Sequence, residues 1–543
     1  MKPVVLVVLD GFGLAPPGPG NPISLANPTN ITTILHSFPN TTLTTSGEAV
    51  GLPPHEVGNT EVGHINLGAG RIIYQDLPRI NMNIADGGFY KNKVFLEGID
   101  HIKKTGGSLH LIGLLGEGNV HSSVEHLYAL LYFAREHRIE NVFIHGITDG
   151  RDSPPKSATE TVVRLEGKLT QLGVGKIATI MGRYYAMDRD RRWERIEKAY
   201  ICLTKGSSIT APSAIEAVLQ SYQKNQTDEF IEPTIIIKSG APAGLIKKGD
   251  TVIFYNFRVD RPRELTKAFV LENFAQTANQ SFAFDPYAVK YYKTHFPQEQ
   301  IVTPPFIREA KIPDLFFITI TEYEKGLPVH VAYPPLTIDN SLGRVVADHQ
   351  LKQLRMAESE KERFVTFYFN GQHEDPFALE DRLIVPSPKV PTYDLKPEMS
   401  AYELTELLIS QMIKQEYSFI LVNYANADMV GHTGNIEASM KAVKALDDCV
   451  GKVIQTALNA ETTVLITSDH GNVEQKINHT TGRVSTEHTA NLVPFVAVNK
   501  IFQGKNLKLQ SGILADVAPT VLELMGIPKP PEMTGRNLLA DLR

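Results

Sequence analysis

The sequence predicts an α/β protein in which one mostly parallel sheet is assembled from both ends of the chain and a second α/β domain is inserted between them. Three observations predict it. The apolar, β-branched runs Val4–Leu9, Phe419–Asn423 and Val464–Thr467 each lead into a loop that carries an aspartate. Unbroken apolar runs of this length suit strands covered on both faces, as in a parallel sheet. One run opens the chain and the other two lie near its end, so a single sheet must draw on both. Between them, Leu109–Leu115, Asn141–Ile147, Ile177–Met181 and Thr251–Phe254 read as strands separated by helical stretches such as Val124–Glu136 and Thr159–Leu172, the pattern of a separate α/β domain.

The expected hinges are Tyr74–Asp76 and the proline-containing stretch Ala332–Leu336. They give a discontinuous domain of residues 1–75 and 334–543 and an inserted domain of residues 76–333. Phe282–Ile312, with scattered prolines, reads as irregular surface chain. A length of 543 residues exceeds one typical core, and 42% hydrophobic with 21% charged residues is ordinary for a soluble globular protein. A net charge of −6 lacks the basic footprint of a nucleic-acid binder. The two cysteines, Cys202 and Cys449, are far apart, which argues against a disulfide framework and fits a reducing cytoplasm. Val4–Leu9 is too short for a secretory apolar core, and no run approaches the roughly 20 apolar residues that span a bilayer.

Three groups of residues carry chemistry. The first is rich in aspartate and histidine. Asp10 follows the first strand, Asp428 and His432 are four apart in ANADMVGH, Asp469 and His470 follow the last strand, and His488 lies in TEHTANLVPF. Residues four apart share one face of a helical turn. Each alone could be a strand-end cap or a surface histidine. Together, at the ligand-binding edge of a sheet, six oxygen and nitrogen donors suit two divalent ions, Mn²⁺ or Zn²⁺, better than a soft-metal site. The second is GNTEVGH, Gly58 to His64, where Thr60 stands at the expected start of a helix. It reads either as an ordinary helix cap or as a hydroxyl nucleophile at a helix N-terminus. The third is basic: Arg151 and Asp152 in TDGRDSPP, Arg183 and Arg189 in MGRYYAMDRD, Arg258 and Arg261 in YNFRVDRPR, with His121 after its own strand. Guanidinium forks grip phosphate and carboxylate oxygens; the bland alternative is a salt-bridged solvent face. Residue types and spacing stop at metal-dependent phosphoryl transfer to or from a small anion.

The stretches VLDGFG, GNTEVGH, DGRDSPP, NFRVDRPR, AESEK ending at Lys361, SPKVPTYDLKPEMSA, NYANADMVGHTGN, TSDHGN and EHTANLVPF occur in one order along nearly the whole chain. In these segments the chain resembles the cofactor-independent phosphoglycerate mutases, whose larger domain is alkaline-phosphatase-like. The resemblance implies one divalent metal on Asp428, His432 and His488, and a second on Asp10, Asp469, His470 and the nucleophile. Mn²⁺ is the expected ion, with Zn²⁺, Co²⁺ or Mg²⁺ as alternatives. It further implies a substrate pocket of His121, Arg151, Asp152, Arg183, Arg189, Arg258, Arg261 and Lys361. The implied reaction is interconversion of 3-phosphoglycerate and 2-phosphoglycerate by a cytoplasmic monomer, with no bisphosphoglycerate.

Two departures stand out. The family pattern has serine where this chain has Thr60, and the segment from about Phe282 to Pro334 matches loosely. On this reading Thr60 takes the phosphoryl group, bound glycerate turns over and takes it back, Asp152 carries the hydroxyl proton and His121 holds phosphate. The alternatives are a phosphatase or phosphodiesterase of the same superfamily, a silent metal or metabolite binder, and a sugar phosphomutase. The clamp of Arg151–Asp152 and Arg258–Arg261 argues against the first and third.

Overall fold

The computed structural model describes residues 3–206, 209–280, 303–478, 480–504 and 507–542. Two compact units form: Met1–Gln75 with Leu336–Arg543, and Asp76–Pro335. In the first unit, the Val4–Leu9 strand lies between Phe419–Tyr424 and Thr463–Thr467 and is parallel to both. The sheet continues through Gln353–Glu358 to Glu380–Val385 on one side, and through Val493–Val498 and Asn40–Thr44 to Gly512–Ile513 on the other. All six residues of Val4–Leu9 are buried, as are all six of Phe419–Tyr424. Side chains alternate faces along a strand, so both faces of the sheet are covered. The cover comes from helices such as Ala401–Lys414, Ile436–Ala460 and Val517–Leu524, whose Leu404, Leu408, Leu446, Val450 and Val521 share the strands' core.

Register decides what meets at the sheet's C-terminal edge. Val8 pairs with both Asn423 and Thr467, so Asp10 and Asp469, each two residues further on, come to one level just beyond Asn423. Gly11 has φ +72°, and a Cβ there would come within 2.8 Å of the Asp428 backbone. Only glycine lets the turn after the first strand pass so close to the helix that carries Asp428.

Among the described residues the second unit contains a nine-stranded sheet, mostly parallel, with Thr251–Phe254, Leu109–Leu115, Val142–Thr148 and Lys176–Gly182 adjacent in its middle. The expected strands differ from these by at most a residue at each end. Phe316–Thr321 and His330–Tyr333, which the sequence reading left inside a loosely matched segment, extend the sheet beyond Thr251–Phe254. Most of Phe282–Ile312 lies outside the described residues; residues 303–312 form neither helix nor strand.

Across the middle strands runs a buried polar chain. Asp250 accepts from His110 Nε2 at 3.1 Å, His110 Nδ1 meets His145 Nε2 at 2.9 Å, and His145 Nδ1 meets Thr179 Oγ1 at 3.0 Å. With Asp250 ionised and the Thr179 hydroxyl donating, each imidazole donates at Nε2 and accepts at Nδ1. Burial lowers the pKa of both histidines, although Asp250 pulls that of His110 upward. His126, buried against Phe257, is pushed by burial down to about 3.

A histidine whose folded pKa is depressed binds its proton in the unfolded chain first. Its contribution to stability is therefore complete above about pH 6.5 and declines as the pH falls below that value. Between pH 7 and pH 5, His126 alone should remove about 2 kcal/mol, and His110 and His145 act in the same direction. Denaturant unfolding of chelator-treated protein at the two pH values should show this loss, and His126→Phe should lose less. Equal pH sensitivity in parent and variant would refute the assignment.

Candidate functional site

The edge of the first unit's sheet gathers the aspartates and histidines. Thr60 is the first residue of the helix Thr60–Ala69, and the cap is its neighbour Asn59, whose side chain accepts from the Val62 N–H. Gly63 allows this helix to lie on the Asp469 loop: a Cβ there would stand 2.7 Å from Asp469 Cβ. Thr60 is buried, and its Oγ1 is 2.9 Å from His470 Nε2, 3.4 Å from Asp10 Oδ1 and 3.2 Å from Lys361 Nζ. Lys361 also donates to Asp10 Oδ1 at 2.8 Å and to Asp428 Oδ2 at 2.7 Å. The sequence reading grouped Lys361 with the arginines. In the structure it belongs to the first unit and sits among the candidate metal ligands.

Asp428 and His432 fall on one helical turn, with His432 Nε2 3.1 Å from Asp428 Oδ1. His488 Nε2 is 3.3 Å from the same oxygen and 3.0 Å from His432 Nε2. The Nδ1 atoms of these histidines face the backbone carbonyls of Thr486 and Gly58, at 2.8 and 2.9 Å. Each Nδ1 must then donate, which leaves both Nε2 atoms as lone pairs aimed at one place. Two lone pairs 3.0 Å apart beside a carboxylate oxygen fit a shared cation, and the outward hydrogen bonds are those of metal-ligating histidines.

Among the described residues, two sets of three donors lie close enough to share an ion: Asp428, His470 and His488, and Asp10, Asp469 and His470. His470 thus stands between the two groups that the resemblance keeps apart, its ring stacked on His488 at 3.9 Å. Three carboxylates, Asp10, Asp428 and Asp469, are buried together, and the first two pair with the Lys361 ammonium. Burial opposes charge on His470, but Asp469, Asp428 and Asp10 outweigh it and push its pKa up to about 10. Buried negative charge in excess demands cations. Hard oxygen and imidazole donors, with no cysteine among them, suit divalent ions. The residues present therefore fit the implied metals.

The arginines belong to the second unit. Arg183 is 3% exposed and donates through Nη1 to Asp149 and Asp152, at 2.5 Å each, and through Nη2 to His121 Nε2 at 2.9 Å. That contact makes Nε2 of His121 the acceptor and places its proton on Nδ1. Burial, and then the Arg183 charge, lower the His121 pKa to about 4, so the ring is neutral at pH 7. His121 Nδ1 and Arg183 Nε are buried donors without a hydrogen-bond partner among the described residues. Burial raises the Asp152 pKa, but the hydrogen bond and charge of Arg183 outweigh it, so the group stays a carboxylate.

Asp260 joins Arg189, at 2.8 Å, to Arg258, at 3.1 Å. Arg261 donates to the Met187 carbonyl, and its pKa is lowered by burial and then by Arg189 and Arg183. Arg151 is half exposed and pairs with Glu229. Asp149, Asp260 and Glu229, which hold these arginines in place, escaped the sequence reading. Asp149 is the aspartate of TDGRD, two residues before Arg151, and Asp260 lies between Arg258 and Arg261.

Comparison with known proteins agrees with this geometry. A 2,3-bisphosphoglycerate-independent phosphoglycerate mutase of Clostridium beijerinckii is 48% identical to this chain, covering 99% of both. The chain belongs to the 2,3-bisphosphoglycerate-independent phosphoglycerate mutases. The relative of the same name in Moorella thermoacetica is 46% identical, over 99% of this chain and 98% of its own. The sequence model described as BPG-independent PGAM N-terminus matches residues 80–325, and that described as Sulfatase matches residues 271–527. Among solved structures, the phosphoglycerate mutase of Leishmania mexicana at low cobalt concentration aligns with a TM-score of 0.56 at 26% identity, covering 99% of this chain and 97% of that one. Membership of this mutase family favours the isomerase reading over the phosphatase and silent-binder alternatives.

Proposed function

We propose that this chain interconverts 3-phosphoglycerate and 2-phosphoglycerate, without bisphosphoglycerate, by passing the phosphoryl group through Thr60. The observation that carries the reading is the place of Thr60 Oγ1: buried, at a helix N-terminus, within 3.4 Å of Asp10, His470 and Lys361. Asp428, His432 and His488 would hold one divalent ion, and Asp10, Asp469, His470 and Thr60 a second, with Mn²⁺ as the proposed metal. Such ions lower the pKa of a hydroxyl and neutralise phosphoryl oxygens.

Thr60 Oγ1 gives up its proton and bonds to phosphorus as the bond from phosphorus to the substrate oxygen breaks, and that oxygen takes up a proton. The other hydroxyl of the retained glycerate then loses its proton and attacks, and the released Thr60 Oγ1 regains one. Asp152, a carboxylate held by Arg183, is the proposed acceptor and donor of that proton. Lys361 adds positive charge beside the transferring group, and the helix N-terminus adds its partial charge. His121 and Arg183, with Arg151, Arg189, Arg258 and Arg261, are the proposed grip on phosphate and carboxylate oxygens. No helix among the described residues is long and apolar enough to cross a membrane; a cytoplasmic monomer is part of the proposal.

Purified protein given 3-phosphoglycerate and Mn²⁺ but no bisphosphoglycerate should form 2-phosphoglycerate. Release of inorganic phosphate alone would replace the proposal with a phosphatase. Arg258→Ala and Arg261→Ala test the anion grip. Loss of a charge-assisted hydrogen bond costs about 1.5–3 kcal/mol, so kcat/KM should fall roughly 10- to 150-fold. Arg258 is 47% exposed, and Arg189 would still hold Asp260, so melting should change little. Early melting with normal turnover per folded molecule would make these residues structural.

A further inference from the structure

We propose that His64 and Asn423 are positioning residues that lock Asp10, Asp469 and the Thr60 backbone into one unit. Both are fully buried, and neither is assigned a part in the reaction above. Asn423 Nδ2 donates to Asp10 Oδ2 at 2.8 Å and also lies 3.1 Å from His64 Nε2. The Asp10 carboxylate can only accept, so the amide must turn its nitrogen this way. That nitrogen then meets His64 Nε2 as a donor, and Nε2 has to accept. The imidazole proton is therefore placed on Nδ1. There it faces the Thr60 carbonyl at 2.9 Å, with Asp469 Oδ2 at 3.3 Å. Asp469 Oδ2 has no well-formed hydrogen bond among the described residues, and the Nδ1–H of His64 approaches it more closely than does His470 Nε2, at 3.6 Å.

The path thus runs from Asp10 through an amide and an imidazole to the backbone of Thr60 and the second carboxylate. It joins the first strand, the Phe419–Tyr424 strand, the helix Thr60–Ala69 and the loop after Thr463–Thr467. Local sequence explains how: His64 is four residues after Thr60, so its ring lies over the turn that presents the Thr60 carbonyl. Asn423 is the strand residue paired with Val8, two before Asp10. A polar residue at this point of an otherwise apolar strand is costly to bury unless it is bonded, and here it spans two groups. Its Oδ1 has no partner among the described residues, which places the role on the amide nitrogen.

The inference rests on reading the cluster as a divalent-metal centre and adds which residues hold its ligands in register. The test uses the full chain. Free Mn²⁺, followed by electron paramagnetic resonance, gives the affinity of parent, His64→Phe, Asn423→Leu and the double variant, and kcat and KM are measured on each. Outer partners of metal ligands are worth roughly 10- to 100-fold in affinity or activity. Each single variant should weaken Mn²⁺ binding to that extent and lower kcat, with KM for 3-phosphoglycerate unchanged. Because the two residues act as one path, the double variant should lose about as much as the worse single one. His64→Asn, which restores a donor near Nδ1, should recover part of the loss; it also serves, with Asn423→Leu, if His64→Phe does not fold. Singles that bind Mn²⁺ within twofold of the parent, or losses that multiply in the double variant, would overturn the relay. A parent chain that binds no Mn²⁺ would instead overturn the metal reading itself.

Discussion

Thr60→Val is expected to abolish mutase turnover while the protein stays folded and still binds divalent metal. Valine keeps the shape and branching of threonine and removes only the hydroxyl. Asn59 still caps the helix, and Asp10, Asp469 and His470 still converge. What is lost is the only oxygen on that side chain able to accept a phosphoryl group. Removal of a covalent nucleophile costs on the order of 10⁶-fold in turnover. Thr60→Ser should remain active. The threonine methyl restricts χ1; if the bound geometry lies off the preferred rotamer, the parent carries about 0.5–1.5 kcal/mol that serine escapes, and the variant would gain roughly 3- to 10-fold. Initial rates with 3-phosphoglycerate and rapid-quench labelling of the protein check both. Parental turnover in Thr60→Val would place the nucleophile elsewhere.

Chelation should remove turnover as completely as loss of the nucleophile, and Mn²⁺ should restore it. The buried carboxylates of Asp10 and Asp428 share the Lys361 ammonium, with Asp469 also buried close by, while the His432 and His488 Nε2 atoms direct lone pairs at each other across 3.0 Å. A divalent cation relieves both repulsions. Binding linkage adds about 2.7 kcal/mol of stability for each ion held at 100 times its Kd. Melting of the parent should therefore rise with Mn²⁺ concentration, and that of Asp428→Asn much less. Full turnover after exhaustive chelation, with metal content measured as nil, would refute a metal-dependent mechanism.

Much of this was legible because strong signals coincided. Val4–Leu9 is apolar without interruption and ends at Asp10, so strand, burial and edge could be read together. GNTEVGH placed Thr60 at a helix start, although its cap proved to be Asn59. Gln353–Glu358 was missed because Arg355 interrupts the apolar pattern. That guanidinium is fully buried, lies 5.1 and 5.5 Å from the rings of Phe369 and Phe419, and bonds Gln353 and Asn370. No periodicity rule anticipates a cation in a core strand. Asn40–Thr44 is threonine-rich and only alternately buried. It resembles a loop until its neighbours are known. His64 has the same four-residue spacing from Thr60 that His432 has from Asp428. It went unread because its partners, Asn423 and Asp469, lie more than 350 residues away.

The first strand also sets a timetable for synthesis. Asp10 finds Asn423 across 413 residues of chain, and Gly11 finds Asp469 across 458. Translation at about 5–20 residues per second separates Asp10 from His488 by roughly 25–100 s. For most of that time, until Phe419–Tyr424 is made, Val4–Leu9 has neither neighbouring strand, whereas Leu109–Leu115, Val142–Thr148 and Lys176–Gly182 of the inserted unit follow one another at short intervals. The inserted unit can be complete while the six apolar residues of the opening strand are still solvent-facing. Nascent chains stalled just before Phe419 should therefore display a protease-resistant core within residues 76–335 and a cleavable N-terminal segment that chaperones bind.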